Sequence, residues 1–285
     1  MTFYELSVIT NTGYPYYNIN LKHPPNGSSI LLRFFDFTHK NSERISKMDP
    51  VSMFELNAGL VSALFEFARN IDKKIEILEF RSGKKEVSKS NGRNYKGDVL
   101  ITTQTEPYLL HNSVKEKIKL IYDTVIATKI PLDSALELLQ NEEDNIFDIL
   151  TDSEARKRVK TYESDINRLA NEFLTEMNSY GLHGISISSF DLSPIAVYGD
   201  KYSLNDVDAI LRNIGIFPNI TPLEWIYRQS HILDEPIWVY IIKSGVGPTI
   251  HGLFEPYFYL LFADPQSYLG EFPGKLAAKF NQILG

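Results

Sequence analysis

The sequence predicts an α+β protein built of two related halves, each an antiparallel sheet flanked by helices. Three observations carry this. Strand-length apolar segments follow one another in hairpins instead of alternating singly with helices, which argues against a doubly wound parallel sheet. Longer segments between them repeat their apolar residues at helical spacing. One unit also occurs twice, as LSVITNTGYPYYN at 6–18 and ISISSFDLSPIAVYG at 185–199. Each runs an alternating apolar segment into a turn ending in proline and out into a second apolar segment. Aligning Pro15 with Pro194 puts Leu6 and Val8 in phase with Ile185 and Ile187.

In the first half, Leu6 to Tyr17 is expected as a hairpin turning at Thr12-Gly13. KHPPNGSS (22–29) is a loop, and ILLRFFDF (30–37) a third strand that is apolar on both faces. Asp49 as N-cap and Pro50 at the first helical position start a helix with two apolar rows. Met53, Leu56, Leu60, Leu64, Phe67 and Ile71 form one; Phe54, Ala58, Val61, Phe65 and Ala68 form the other. A helix lying on one sheet needs a single stripe, so the second row meets either a neighbouring element or a partner chain. KIEILEF (74–80) and GDVLITTQT (97–105) are further strands. They are joined by a basic, glycine-punctuated loop carrying Arg81, Lys84, Lys85, Lys89, Arg93 and Lys96. Residues 113–129 complete this half as an amphipathic helix with Val114, Ile118, Ile121 and Val125 on one face.

The organisation expected is a first domain over 1–130, an acidic helical connector over 131–163, and a second domain over 164–285. The connector's acidic residues are expected to face solvent. The second domain opens with a helix on Ile166, Leu169, Phe173 and Met177, followed by the second hairpin. Ser203 and Asp206 have capping-box spacing ahead of a helix carrying Leu204, Val207, Leu211 and Ile214. Thr221 to Glu224 has the same signature and predicts a short helix through Gln229. Residues 236–244, 248–255 and 256–263 are expected as strands, and a helix on Leu276, Phe280 and Ile283 closes the domain. These strands are apolar on both faces, so something must cover each face.

At 285 residues, 43% hydrophobic and 23% charged, the composition is that of a soluble, well-cored chain. A net charge of −7 argues against a dedicated nucleic-acid binder. With no cysteine, disulfides, thiolate metal sites and cysteine nucleophiles are excluded. MTFYELSVIT lacks the basic and apolar regions of a secretory signal, and no uncharged stretch is long enough to span a bilayer. A cytoplasmic location is therefore expected; the basic loop carrying Lys84 to Lys96 is either a solvated hairpin loop or a patch for peripheral contact with anionic lipid.

Chemistry-bearing motifs are absent. GEFPGK (270–275) has one residue too few between its glycines for a phosphate loop, and leucine follows its lysine. GISIS (184–188) lacks the second glycine of a serine-hydrolase elbow. His23, His39, His111, His183, His231 and His251 show no metal-ligand spacing. Asp191 and Asp200, flanking the second hairpin, suit turn and cap roles better than acid–base work. No catalytic, cofactor or metal residue is assigned, and the expected function is non-enzymatic.

The second half, with its leading helix, SISSFDLSPIAVY hairpin, Ser203 helix, three strands and closing helix, resembles the roadblock/dynein light chain fold. The first half, with its VITNTGYPYY hairpin, Asp49-Pro50 helix, later strands and closing helix, resembles a longin domain. Both are profilin-like α/β sandwiches. The first half departs from that pattern in placing ILLRFFDF after the hairpin, as an extra strand or a broken second one. The resemblance implies modules that pair with one another and present a composite surface to a small Ras-like GTPase, as scaffold, exchange factor or activator subunit. Such proteins often act in membrane trafficking or nutrient signalling without being embedded. Implied partners are a small GTPase, other longin or roadblock proteins, or a second copy of the chain. The row Phe54, Val61 and Phe65 is the candidate contact, and Lys84, Lys85, Lys89, Arg93 and Lys96 the candidate edge facing anionic lipid. The alternative is a small-molecule sensor with a pocket lined by aromatic residues such as Trp238 and Tyr240.

Overall fold

A computed structural model describes residues 2–10, 14–37, 50–70, 99–130, 137–215 and 218–285; within 50–70 it describes the side chains of 59, 60 and 62–70. The chain forms two compact units, residues 1–37 with 97–285, and residues 38–96. The architecture is mixed α+β, with antiparallel sheets and flanking helices.

In the larger unit, β1 (Phe3–Thr10) pairs with β2 (Pro15–Asn20) as the expected hairpin. It also pairs with β4 (Val99–Thr105), which in turn pairs with β3 (Leu31–Asp36), giving a sheet in the order β2-β1-β4-β3. Strand period 2 sends Leu6, Val8, Phe35 and Ile101 inward. On the opposite face Glu5 accepts hydrogen bonds from Ser7, Asn18 and Gln104. The strand at 30–37, apolar on both faces in sequence, is buried on one of them: Arg33 and Phe35 are buried while Leu32 and Phe34 are exposed. Arg33 is accommodated because its guanidinium donates to Thr105 Oγ1 and the Leu109 carbonyl, with the His111 ring 3.2 Å away.

α2 (His111–Ile121) runs on through a π turn, Tyr122–Ile126, closed by the Ala127 N–H donating to the Tyr122 carbonyl at 2.8 Å. Its predicted face is the buried one: Val114, Ile118, Ile121 and Val125 are all in the core. α3 (Gln140–Thr151) and α4 (Ser153–Thr161) follow, joined at Asp152 in the left-handed conformation at φ 55°.

From there the chain runs α5 (Glu163–Met177), β5 (Leu182–Ser188), β6 (Pro194–Tyr198), α6 (Leu204–Ile214), β7 (Trp225–Ile232) and β8 (Glu235–Lys243). A two-residue ladder, β9 (Thr249–Ile250) with β10 (Leu253–Phe254), precedes β11 (Phe258–Ala263) and α7 (Phe272–Leu284). The five long strands form one antiparallel sheet in the order β6-β5-β11-β8-β7. Two expectations change here. Residues 225–229 are strand, because Trp225 to Ile232 pair in full register with β8 across a turn at Leu233-Asp234, both at positive φ. Residues 248–255 fold into the short ladder instead of a full strand.

All six residues of β11 are buried. Tyr259 and Leu261, with Ile185, Ile187 and Ile242, pack in one core with Ile166 and Phe173 of α5 and Leu276 and Phe280 of α7. Phe258, Leu260 and Phe262, with Val239 and Ile241, share the other core with Val207, Ile210 and Leu211 of α6. The chain's own helices thus cover both faces. That second core continues without a break into β1, β4, α2 and α3, so the first-half sheet and the second-half sheet share one interior. The Ser203 cap forms as predicted, its hydroxyl accepting from the Asp206 N–H while the Asp206 carboxylate accepts from the Ser203 N–H. Ser203→Ala is expected to cost about 1 kcal/mol in thermal unfolding.

In the smaller unit, α1 (Pro50–Asn70) begins at the predicted proline. Leu60, Phe65 and Phe67 are exposed and Ala68 is buried. The strand expected at 74–80 lies outside the described residues.

Candidate functional site

Two features of the larger unit stand out: a buried ionic joint and an open, aromatic-flanked sheet edge.

The joint is centred on Lys117, which occupies the apolar stripe of α2 between Val114 and Ile121 and is fully buried. Its Nζ lies 2.5 Å from Asp191 Oδ2 in the β5–β6 turn and 2.6 Å from Asp152 Oδ1 at the α3–α4 junction. The rings of Phe3 and Phe190 flank the ammonium, their centroids 5.2 and 5.3 Å from it. Burial alone would drive Lys117 neutral, but Asp152 and Asp191 outweigh it and raise its pKa. Burial would likewise raise Asp191; Lys117, the Ser189 hydroxyl and the Ser193 N–H overcome it and hold that carboxyl below its ordinary value. Asp152 is less well served. Its Oδ1 meets Nζ at 2.6 Å, but its Oδ2 has no donor among the described residues. Burial, with the nearby charge of Asp191, pushes its pKa up to about 6.

The turn that presents Asp191 is over-determined. Asp191 Oδ1 accepts from Ser189 Oγ at 2.7 Å and from the Ser193 N–H at 2.8 Å, while its carbonyl accepts from the Leu110 N–H. Ser113 Oγ donates to the Phe190 carbonyl. Leu192 sits at φ 78°, a strained position for a leucine, held there by complete burial. A second polar contact ties α6 to the segment after β4. Arg212 donates to both oxygens of buried Glu106, Tyr4 donates to the same carboxylate, and Tyr108 donates to Asp208 at 2.6 Å.

The open edge is β7, whose only strand partner among the described residues is β8. Such an edge presents unpaired backbone donors and acceptors. Beside it, Tyr227 is 55% exposed and stacks edge-on to Trp238 and tilted against Tyr240. Leu233, at the tip of the β7–β8 turn, is 93% exposed. Trp238 is fixed by its indole N–H donating to the Pro265 carbonyl at 2.5 Å. A shallow hollow lined by Trp225, Ile226, Tyr227 and Arg228 lies along the same strand.

Of the sequence-predicted contact residues, Phe65 lies exposed on α1. Phe54 and Val61 fall on the same helix, but their side chains lie outside the described residues, as do Lys84, Lys85, Lys89, Arg93 and Lys96 entirely. Asp191 has its expected turn role and an ion pair besides. Asp152 departs from the expectation that the connector's acidic residues are solvated, because its position between two helices turns it into the core. Lys117, Glu106, Arg212 and Glu255 belong to no motif that sequence reasoning singles out. A lysine on an otherwise apolar helical stripe is the available signal for the first.

Among the described residues no group of three or more histidine, aspartate or glutamate side chains is placed to hold a metal ion, and no helix is long and apolar enough to cross a membrane. No protein-family model matches the chain, and no curated protein matches it.

Proposed function

We propose that the protein is a non-enzymatic adaptor or regulator of a small Ras-like GTPase, working through protein surfaces as a scaffold, exchange-factor or activator subunit. The observation that carries this proposal is the order of elements from α5 to α7. Apart from the short β9–β10 ladder it is helix, two strands, helix, three strands, helix, the order on which the resemblance to roadblock modules rests. Two further features support a surface function. Both faces of the second sheet are closed by the chain's own helices, while β7 has no second strand partner among the described residues and carries exposed aromatic and aliphatic side chains. An open edge of this kind accepts an added strand from a partner through main-chain hydrogen bonds. Peripheral contact with anionic lipid through the loop from Lys84 to Lys96 belongs to the same proposal.

Size-exclusion chromatography with light scattering tests it, run on the protein alone and with Ras-like GTPases loaded with GDP or a GTP analogue. The expected result is a stable complex whose amount depends on the nucleotide. Phe65→Glu is expected to weaken that complex if α1 contributes to the contact. Failure to associate with any GTPase in either state overturns the proposal.

A further inference from the structure

Glu255, between β10 and β11, is 2% exposed, and among the described residues neither of its carboxylate oxygens has a hydrogen-bond partner. Its backbone is pinned on both sides. The Glu255 N–H donates to the Pro248 carbonyl at 2.9 Å, and its carbonyl passes so close to Gly247 that a Cβ there would lie 2.0 Å away. The side chain is therefore held in the interior, where three charged groups from three other elements act on it: Lys117 of α2, Asp152 of the α3–α4 junction, and Asp191 of the β5–β6 turn. Arg156 of α4 acts on Asp152, and Tyr257, just before β11, feels Glu255.

One ammonium already faces two carboxylates, so a third ionised carboxylate would leave the buried group with an excess of two negative charges and no additional donor. We propose that Glu255 is the proton-bearing latch of this joint: loss of its proton loosens the packing of α2, the α3–α4 junction and the β5–β6 turn against one another.

Burial, together with the charges of Asp152 and Asp191 and only partly offset by Lys117, pushes the Glu255 pKa up to about 8. The sign follows from linkage. A carboxyl whose folded value lies above its unfolded one costs nothing while both states are protonated, and destabilises the fold increasingly as pH rises between the two values. For Glu255 that window runs from 4.5 to about 8. Asp152 acts in the same direction, but its window closes near about 6. The interval between pH 6 and 8 therefore reports on Glu255.

Thermal unfolding of the full chain from pH 6 to 9, compared with Glu255→Gln, tests the latch. The wild-type Tm is expected to fall by roughly 5–10 °C across that range. The glutamine variant, which cannot ionise, is expected to lose most of that slope and to melt above the wild type at pH 9. Amide exchange at residues 149–153 and 189–193 is expected to speed up with pH beyond its intrinsic rate in the wild type only. Direct titration of the Glu255 carboxyl by carbon-detected NMR on the wild type decides the matter even if the variant fails to fold. A midpoint near 4.5, a flat wild-type Tm between pH 6 and 9, or an undiminished slope in Glu255→Gln would each overturn the proposal.

Discussion

Lys117→Met is expected to lower the free energy of unfolding by about 3–5 kcal/mol at pH 7.5. Methionine keeps the length and most of the volume of the lysine stem, so little cavity forms. What disappears is the positive charge between Asp152 and Asp191, which are 1% and 0% exposed and cannot reach water. Stripped of their counter-ion, these carboxyls must either remain ionised in the interior or take up protons. The loss should therefore be smaller at pH 5, where protonation is less costly, than at pH 7.5. Urea unfolding at both pH values measures it. In an Asp152→Asn, Asp191→Asn background, Lys117→Met should cost far less, because no buried negative charge then needs a partner. A loss below about 1 kcal/mol in the wild-type background would mean that the pair is not the determinant of the joint.

The second large effect is expected at Glu106. Its carboxylate accepts from Arg212 Nε at 2.8 Å and Nη2 at 2.5 Å, and from the Tyr4 hydroxyl, while its own N–H donates to the Thr2 carbonyl. Glu106→Ala leaves a buried phenol without an acceptor and the Arg212 guanidinium without its forked partner. The expected cost is about 2–4 kcal/mol. It is smaller than at Lys117 because the Arg212 side chain is 25% exposed and water can take over part of its solvation. Glu106→Gln, which retains an acceptor for Tyr4 but not the charge, should cost less than the alanine variant. Chemical unfolding of both, with Arg212→Met in a double-mutant cycle, separates the ion pair from the tyrosine bond. Equal losses for alanine and glutamine would assign the whole effect to the charge and none to Tyr4.

Both residues do their work where the first-half segments meet the second-half sheet. α6 is drawn toward the Glu106 segment through Arg212 and Asp208, and α2 toward the β5–β6 turn through Lys117 and Ser113.

Local patterns in the sequence were enough for the elements that depend on local chemistry. The period-2 alternation around Pro15 and Pro194 produces the two hairpins, and the Ser203 and Asp206 pair caps α6. The stripe through Val114, Ile118, Ile121 and Val125 is buried as its spacing requires. Patterns failed where partners from elsewhere in the chain decide the outcome. Thr221 to Glu224 resembles a helix start, yet Trp225 to Ile232 gains a full antiparallel ladder with β8, which outweighs the capping signal. ILLRFFDF is apolar on both faces, yet Leu32 and Phe34 are exposed, beside a polar row on β1 and β4.

The amino-acid sequence by itself therefore determined the α+β class, the paired hairpins, the helical stripes and the absence of recognisable catalytic motifs, since each depends on residues a few positions apart. Only the tertiary structure decided which charges are buried together. Lys117, Asp152, Asp191 and Glu255 span well over a hundred positions of the chain. No local pattern records that a lysine on a helix, an acid between two helices and an acid in a turn will meet in the interior, or that their charges will act on a buried acid before a strand. Low-dielectric burial makes their charges interdependent, and that interdependence exists only once the two halves have closed over them.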